Sequence, residues 1–155
     1  MAIDPGTEQS ASVILESGRP TYPQKLTNSV LLETVRGPWF GKRPDVLAIE
    51  MIASYGMRVG REVFETCLWV GRFIEAWGEP VPRLVYRRDV KLFLCQSVRA
   101  TDSNIRAALL DRFGGKAKAI GSKANPGPLY SLKKDMWSAL AVALTAEEQI
   151  RIGTL

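Results

Sequence analysis

Three short apolar runs, each closed by turn residues, precede the first helical pattern of this chain, and strand-like and helix-like segments alternate after it. Few layered architectures accept that order. Ala2 to Asp4 ends in the turn sequence Pro5-Gly6-Thr7. Ser10 to Glu16 is β-branched at its centre and reads as a second strand. Gly18-Arg19-Pro20 turns the chain into a third, Thr21 to Thr27. Asn28 is placed to cap a helix running to Arg36, with Val30, Leu31, Leu32 and Val35 as its apolar side. After a Gly/Pro loop, Val46 to Glu50 reads as a buried strand. Val63, Phe64, Cys67, Leu68, Ile74 and Trp77 recur at helical spacing, which predicts a helix from about Gly60 to Trp77, stopped by Pro80 and Pro82. Arg83 to Tyr86 is a short strand, and Asp89 to Leu94 a helical turn or two. Thr101 or Asp102 caps the next helix, whose core face is Ile105, Leu109, Leu110 and Phe113 and which ends at Gly114-Gly115. Lys116 to Pro128 reads as a basic loop, and a last helix starts near Leu132 and runs through Ala139 to Leu144. The order predicts an α/β fold with a mixed five-stranded sheet flanked by helices, in one domain spanning residues 1–155.

Histidine is absent. That removes Ser-His-Asp and Cys-His nucleophiles, the H-E-x-x-H zinc site and histidine-based nucleases. Catalysis must then rest on carboxylates, lysines, hydroxyls or a bound cofactor, and oxygen donors suit hard cations such as Mg²⁺ or Mn²⁺. Cys67 and Cys95 lie in apolar stretches at a spacing that fits no zinc pattern, and read as buried core thiols in a reducing compartment. The longest apolar run falls far short of the roughly 20 residues that span a bilayer, and the opening residues have no leader pattern. The expectation is a cytoplasmic protein without a membrane anchor. A net charge of +5 is compatible with a polyanionic partner.

Three acids stand where strand and helix ends would bring them together: Asp4 closing the first strand, Glu50 closing the fourth, and Asp135 in the first turns of the last helix. Singly, each has an ordinary reading, as a turn former, a solvated strand end and a helix-dipole partner. Together they would repel, the more so if buried. A divalent cation would relieve that repulsion, and two ions roughly 3.5–4 Å apart would activate a water and stabilise the leaving oxygen of a phosphodiester.

In this order the motifs resemble those of the RuvC family of Holliday-junction resolvases, which belong to the ribonuclease H-like superfamily. I-D-P-G-T at Ile3 to Thr7 is similar to that family's first motif, and A-I-E at Ala48 to Glu50 to its second. Val85 to Leu110 is similar to the segment that follows, and Asp135 to Ala143 to the closing acidic helix. The compact chain looks more like a phage or prophage version than the housekeeping enzyme. The resemblance implies a ribonuclease H-like fold and a metal-dependent endonuclease that cuts branched DNA, such as Holliday junctions, leaving 5′-phosphate and 3′-hydroxyl ends. It implies two Mg²⁺ or Mn²⁺ ions, with Asp4 bridging them and Glu50 and Asp135 each completing one shell. Lys91 matches a basic residue near the scissile phosphate; its ordinary reading is a solvated surface lysine. Three positions depart from the family pattern. Ser138 stands where a second acid often follows the first by three residues, and would be a weak or water-mediated ligand. Asp102 replaces a second basic residue. Ala53 replaces an aromatic, which leaves Tyr55 as the nearest side chain to stack on an unpaired base, or simply as a packed loop tyrosine. Alternatives are the same chemistry on an RNA/DNA hybrid or a fork, and a DNA-binding protein of this fold without cleavage.

Basic residues surround the acids in sequence. Arg58, Arg61 and Arg72 flank the long helix, and Arg87, Arg88 and Lys91 cluster before the next. Lys116, Lys118 and Lys123 line the basic loop, and Lys133 and Lys134 adjoin Asp135. Such residues fit phosphate contacts, though a solvated face reads the same way. A four-way junction requires two symmetric cuts, so the resemblance also implies a homodimer. Trp69 and Trp77 would let the long helix serve two faces, one for that contact, although core packing accounts for them equally.

Overall fold

Alternation along the two central strands divides the molecule into two cores. In β1 (Ala2–Asp4) and β4 (Ala48–Met51), paired in parallel, Ala2 lies level with Ala48 and Ile3 with Ile49. Successive side chains point to opposite faces. The computed structural model describes residues 1–153. Around that pair stand β2 (Gln9–Glu16), antiparallel to β1, β3 (Arg19–Thr27), antiparallel to β2, and β5 (Arg83–Tyr86), parallel to β4, giving the sheet order β3-β2-β1-β4-β5.

Ile3 and Ile49 face α1 (Asn28–Arg36) and α2 (Arg61–Trp77), where they join Leu31, Leu32, Val35, Val70 and Phe73. On the other face the small side chains of Ala2, Ala11 and Ala48 let α6 (Met136–Arg151) approach closely. Every residue from Ala139 to Ala146 is buried, the mark of an interior helix. Its outer side is covered by α3 (Arg87–Cys95) and α4 (Asp102–Arg112), through Val90, Ile105 and Leu109. The remaining helix, α5 (Lys116–Ile120), tucks Ala119 into the same core. The order of elements is the one expected from the alternating patterns.

Several local expectations are corrected. The basic stretch after Gly115 is not all loop, because α5 forms within it. The last helix begins at Met136 rather than near Leu132, because Lys134 takes a left-handed φ of 47° and Asp135 becomes the N-cap. Thr101, not Asp102, caps α4, in a reciprocal pair of hydrogen bonds with Asn104. The thiols of Cys67 and Cys95 are free and half-buried rather than fully buried.

Asn28 does not cap α1; it fastens the turn after Asp4. Its side chain accepts from Ser10 Oγ at 2.6 Å and donates to the Gly6 carbonyl at 2.8 Å, while Ser10 Oγ accepts from the Gly6 amide. Gly6 must lack a Cβ, since one would lie 2.4 Å from the Gln9 carbonyl oxygen. Asn28 is 1% exposed, so its loss strands buried partners. Asn28→Ala is expected to lower stability by about 2–4 kcal/mol in urea unfolding. A loss below about 0.5 kcal/mol, the range of an ordinary surface change, would refute this role.

Candidate active site

One cross-strand row carries the charged groups. β1 sets Asp4 opposite Ala11, and β2 sets Ala11 opposite Lys25. On the other side the Ile3–Ile49 register, continued by one residue, brings Asp4 level with Glu50, and Glu50 is paired with Val85. All lie on the α6 face. Between Asp4 and Lys25 the row carries only the small methyl of Ala11, and the start of α6 brings Asp135 near Asp4 and against Lys25.

The Asp4 and Glu50 carboxyls lie close enough to perturb one another's ionisation. Burial, followed by the neighbouring Glu50 and Asp135 charges, pushes the Asp4 carboxyl up to about 8. Burial also raises Glu50, against the pull of Arg87. Glu50 is only 13% exposed, and its Oε1 lies 3.5 Å from Arg87 Nη1. Arg87, the first residue of α3, is gripped on its other side by Asp102. The acid pair opens into a cavity of about 340 Å³ whose lining includes Pro5, Tyr55, Arg87 and Ser138.

Of the residues predicted from sequence, Asp4, Glu50, Arg87, Tyr55 and Ser138 therefore meet at one place. Asp135 stands near enough to raise Asp4, but its Oδ2 accepts a hydrogen bond from Lys25. Among the described residues no three His, Cys, Asp or Glu side chains stand together in a metal-holding group. Lys91 follows Arg87 by one helical turn on α3, is half-buried, and forms no ion pair within the described residues. Arg88 and Arg58 are exposed. Arg61 is exposed and held by Glu65. Lys116, Lys118 and Lys123 lie exposed on and just beyond α5, and Lys134 is exposed next to Asp135. Lys25 was not anticipated. Nothing local marks it, because its partner lies 110 residues away.

The residues fit a hard cation. Asp4, Glu50 and Ser138 present oxygen donors, and two neighbouring, partly buried carboxyls favour a positive charge beside them. Asp135 would complete the set after parting from Lys25.

A mixed sheet of this order, flanked by helices on both faces, is the ribonuclease H-like fold. The likeness extends to particular solved structures. The chain superposes on RuvC from Thermus thermophilus with a TM-score of 0.67 and 20% identity, over 98% of this chain and 95% of that one. It superposes on T. thermophilus RuvC in complex with Holliday junction substrate with a TM-score of 0.68 and 20% identity, over 98% and 94%. No family model and no curated protein matches the sequence. Among the described residues no helix is long and apolar enough to cross a membrane.

Proposed function

We propose that this chain is a single-domain, divalent-metal-dependent endonuclease that cuts branched DNA of the Holliday-junction type. The observation that carries the reading is that the Asp4 and Glu50 carboxyls line one open cavity with Arg87, Tyr55 and Ser138. The fold shared with RuvC supports it.

In this reading Asp4 and Glu50, as carboxylates, would hold Mg²⁺ or Mn²⁺. Asp135 and Ser138 add oxygens from α6. What divalent cations supply in such a site is an activated water and a stabilised leaving oxygen. Arg87 fixes the Glu50 carboxylate. Lys91 and Arg88, on α3, receive the phosphate nearest the cut. Arg58, Arg61 and the lysines Lys116, Lys118, Lys123 and Lys134 hold flanking backbone without reading bases. A second copy docks on α2, where Phe64 and Leu68 are 62% and 70% exposed one turn apart. Apolar side chains so placed favour a partner surface, and two copies give the symmetric pair of cuts a four-way junction needs.

A second reading has two observations in its favour. Asp135 faces Lys25 and Ser138 stands where a further acid would strengthen the site, which suits a junction-binding protein without cleavage. Labelled four-way junction, fork, duplex and RNA/DNA hybrid, each incubated with the protein in Mg²⁺ and in Mn²⁺, separate the cases. Paired symmetric nicks in the junction are expected. Cutting of hybrid alone moves the substrate, and junction binding without any cutting establishes the second reading.

Tyr55 is 59% exposed with a left-handed φ of 48° and lines the cavity. A ring so placed can stack on an unpaired base at the branch point. Tyr55→Ala is expected to weaken junction binding by roughly tenfold, the scale of one lost base–aromatic stack, while duplex binding stays within twofold of its starting value. Equal losses on both substrates in a gel-shift titration would remove Tyr55 from junction recognition.

A further inference from the structure

Lys25 lies on β3, two strands from Asp4 and on the same face. Its ammonium donates to Asp135 Oδ2, and Asp135 in turn acts on the Asp4 carboxyl. The contact joins the sheet to the start of α6 across 110 residues, so it belongs to the assembled fold and not to local chain structure. Two of its properties matter. The two side chains are 31% and 49% exposed, and pairs so open to water hold weakly. A lysine also reaches its partner through a flexible four-carbon stem that moves without disturbing the strand.

We propose that Lys25 is a tethered counter-ion, which neutralises Asp135 in the metal-free protein and must leave that carboxylate before a divalent cation can use it. The inference rests on the metal-binding reading above. An ammonium and a divalent cation compete for the same oxygen lone pairs and repel one another at close range. Competition and support predict opposite signs. If Lys25 competes, its neutral replacement binds metal more tightly; if Lys25 only holds Asp135 in place, the same replacement binds metal less well.

The test is calorimetric titration of Mn²⁺ into the full chain, without DNA, for the starting protein and for Lys25→Gln, Lys25→Arg and Asp4→Asn. Lys25→Gln is expected to bind Mn²⁺ about two- to fivefold more tightly, the range of a half-exposed ion pair, and Lys25→Arg to stay within about twofold of the starting protein. A second readout uses the unmutated chain: acetylation of Lys25 by an amine reagent, followed by mass spectrometry, is expected to speed up when Mn²⁺ is added. Unchanged or weaker Mn²⁺ binding by Lys25→Gln, with Asp4-dependent binding intact, overturns the inference alone. So does a Lys25 acetylation rate indifferent to Mn²⁺ that still binds. Absence of any Asp4-dependent Mn²⁺ binding overturns the metal reading and the inference with it.

Discussion

Asp4→Asn is expected to abolish junction cleavage while leaving a protein at least as stable as the original. The two effects have one cause. Asp4 is a half-buried carboxyl beside Glu50, and desolvation and the Glu50 charge hold its proton far above the ordinary range. As a carboxylate it repels Glu50 and Asp135; that repulsion is what gives the site its pull on a cation. Asparagine keeps the shape, donates an amide hydrogen to Glu50, and carries no charge. Without a cation near, the replacement removes a cost, and the folded protein should gain about 1–2 kcal/mol at pH 8, where the native carboxyl is being forced to ionise. The same replacement removes a central oxygen ligand. Groups that act as a unit in catalysis lose most of their effect together, so cleavage in Mg²⁺ should fall by about 10³-fold or more. Junction binding in EDTA should persist, since phosphate contacts come from the basic residues. The measurement pairs a single-turnover cleavage assay with urea unfolding at pH 8. Cleavage within tenfold of the original would remove Asp4 from the reaction. Lost cleavage together with a stability drop above about 2 kcal/mol, the range of a disrupted buried polar group, would mean that the variant had merely misfolded.

The parts of this site legible in sequence are those fixed by period and by strand ends. Ala2-Ile3-Asp4 and Ala48-Ile49-Glu50 share one alternation, small, large, acid. Two parallel strands with that alternation put their acids side by side when Ala2 pairs with Ala48 and Ile3 with Ile49, as they do. Asn28 misled because Asn before an apolar helical stretch is the usual N-cap signal; a buried serine and a turn carbonyl across the sheet were stronger partners for it. α5 was hidden because Lys116 to Ile120 sits between Gly115 and Gly121, and that composition signals loop. Apolar periodicity puts the start of α6 too early, because it does not show that Lys134 adopts a left-handed backbone. Lys25 belongs to a different class. Its neighbour across the sheet depends on a strand register that shifts between Ser12 and Ile14, and its partner depends on where α6 docks. Both are tertiary facts, which no window along the chain contains.

In the absence of metal, stability is expected to fall as pH rises from 5 to 8.5, and Mn²⁺ is expected to oppose that fall. In the folded protein Asp4 keeps its proton up to about 8, against an ordinary value of 3.8. Between those values the folded state holds a proton that the unfolded state has released. Stability must then decline with pH through this window, being fully present below 3.8 and lost as pH passes through about 8. Burial of Glu50 acts in the same sense. The ceiling is about 1.4 kcal/mol per pH unit for one proton, and water reaching the open cavity brings the expected slope nearer about 0.3–0.7 kcal/mol per unit. A divalent cation binds the carboxylates in their ionised form and releases the Asp4 proton, so its affinity must rise over the same window. Stabilisation by a fixed Mn²⁺ concentration should therefore be small at pH 5.5 and several-fold larger in kcal/mol at pH 8.5. Asp4→Asn is the control, because titrating groups away from the site are common to both proteins and cancel in the difference, leaving Asp4 and its coupled partner Glu50. Thermal unfolding at pH 5.5, 7 and 8.5, with and without Mn²⁺, gives the comparison. If the original and Asp4→Asn curves run parallel in pH, the Asp4 proton is not held as the geometry demands. If they diverge but Mn²⁺ stabilises equally at all three pH values, the cation binds somewhere other than the Asp4–Glu50 pair.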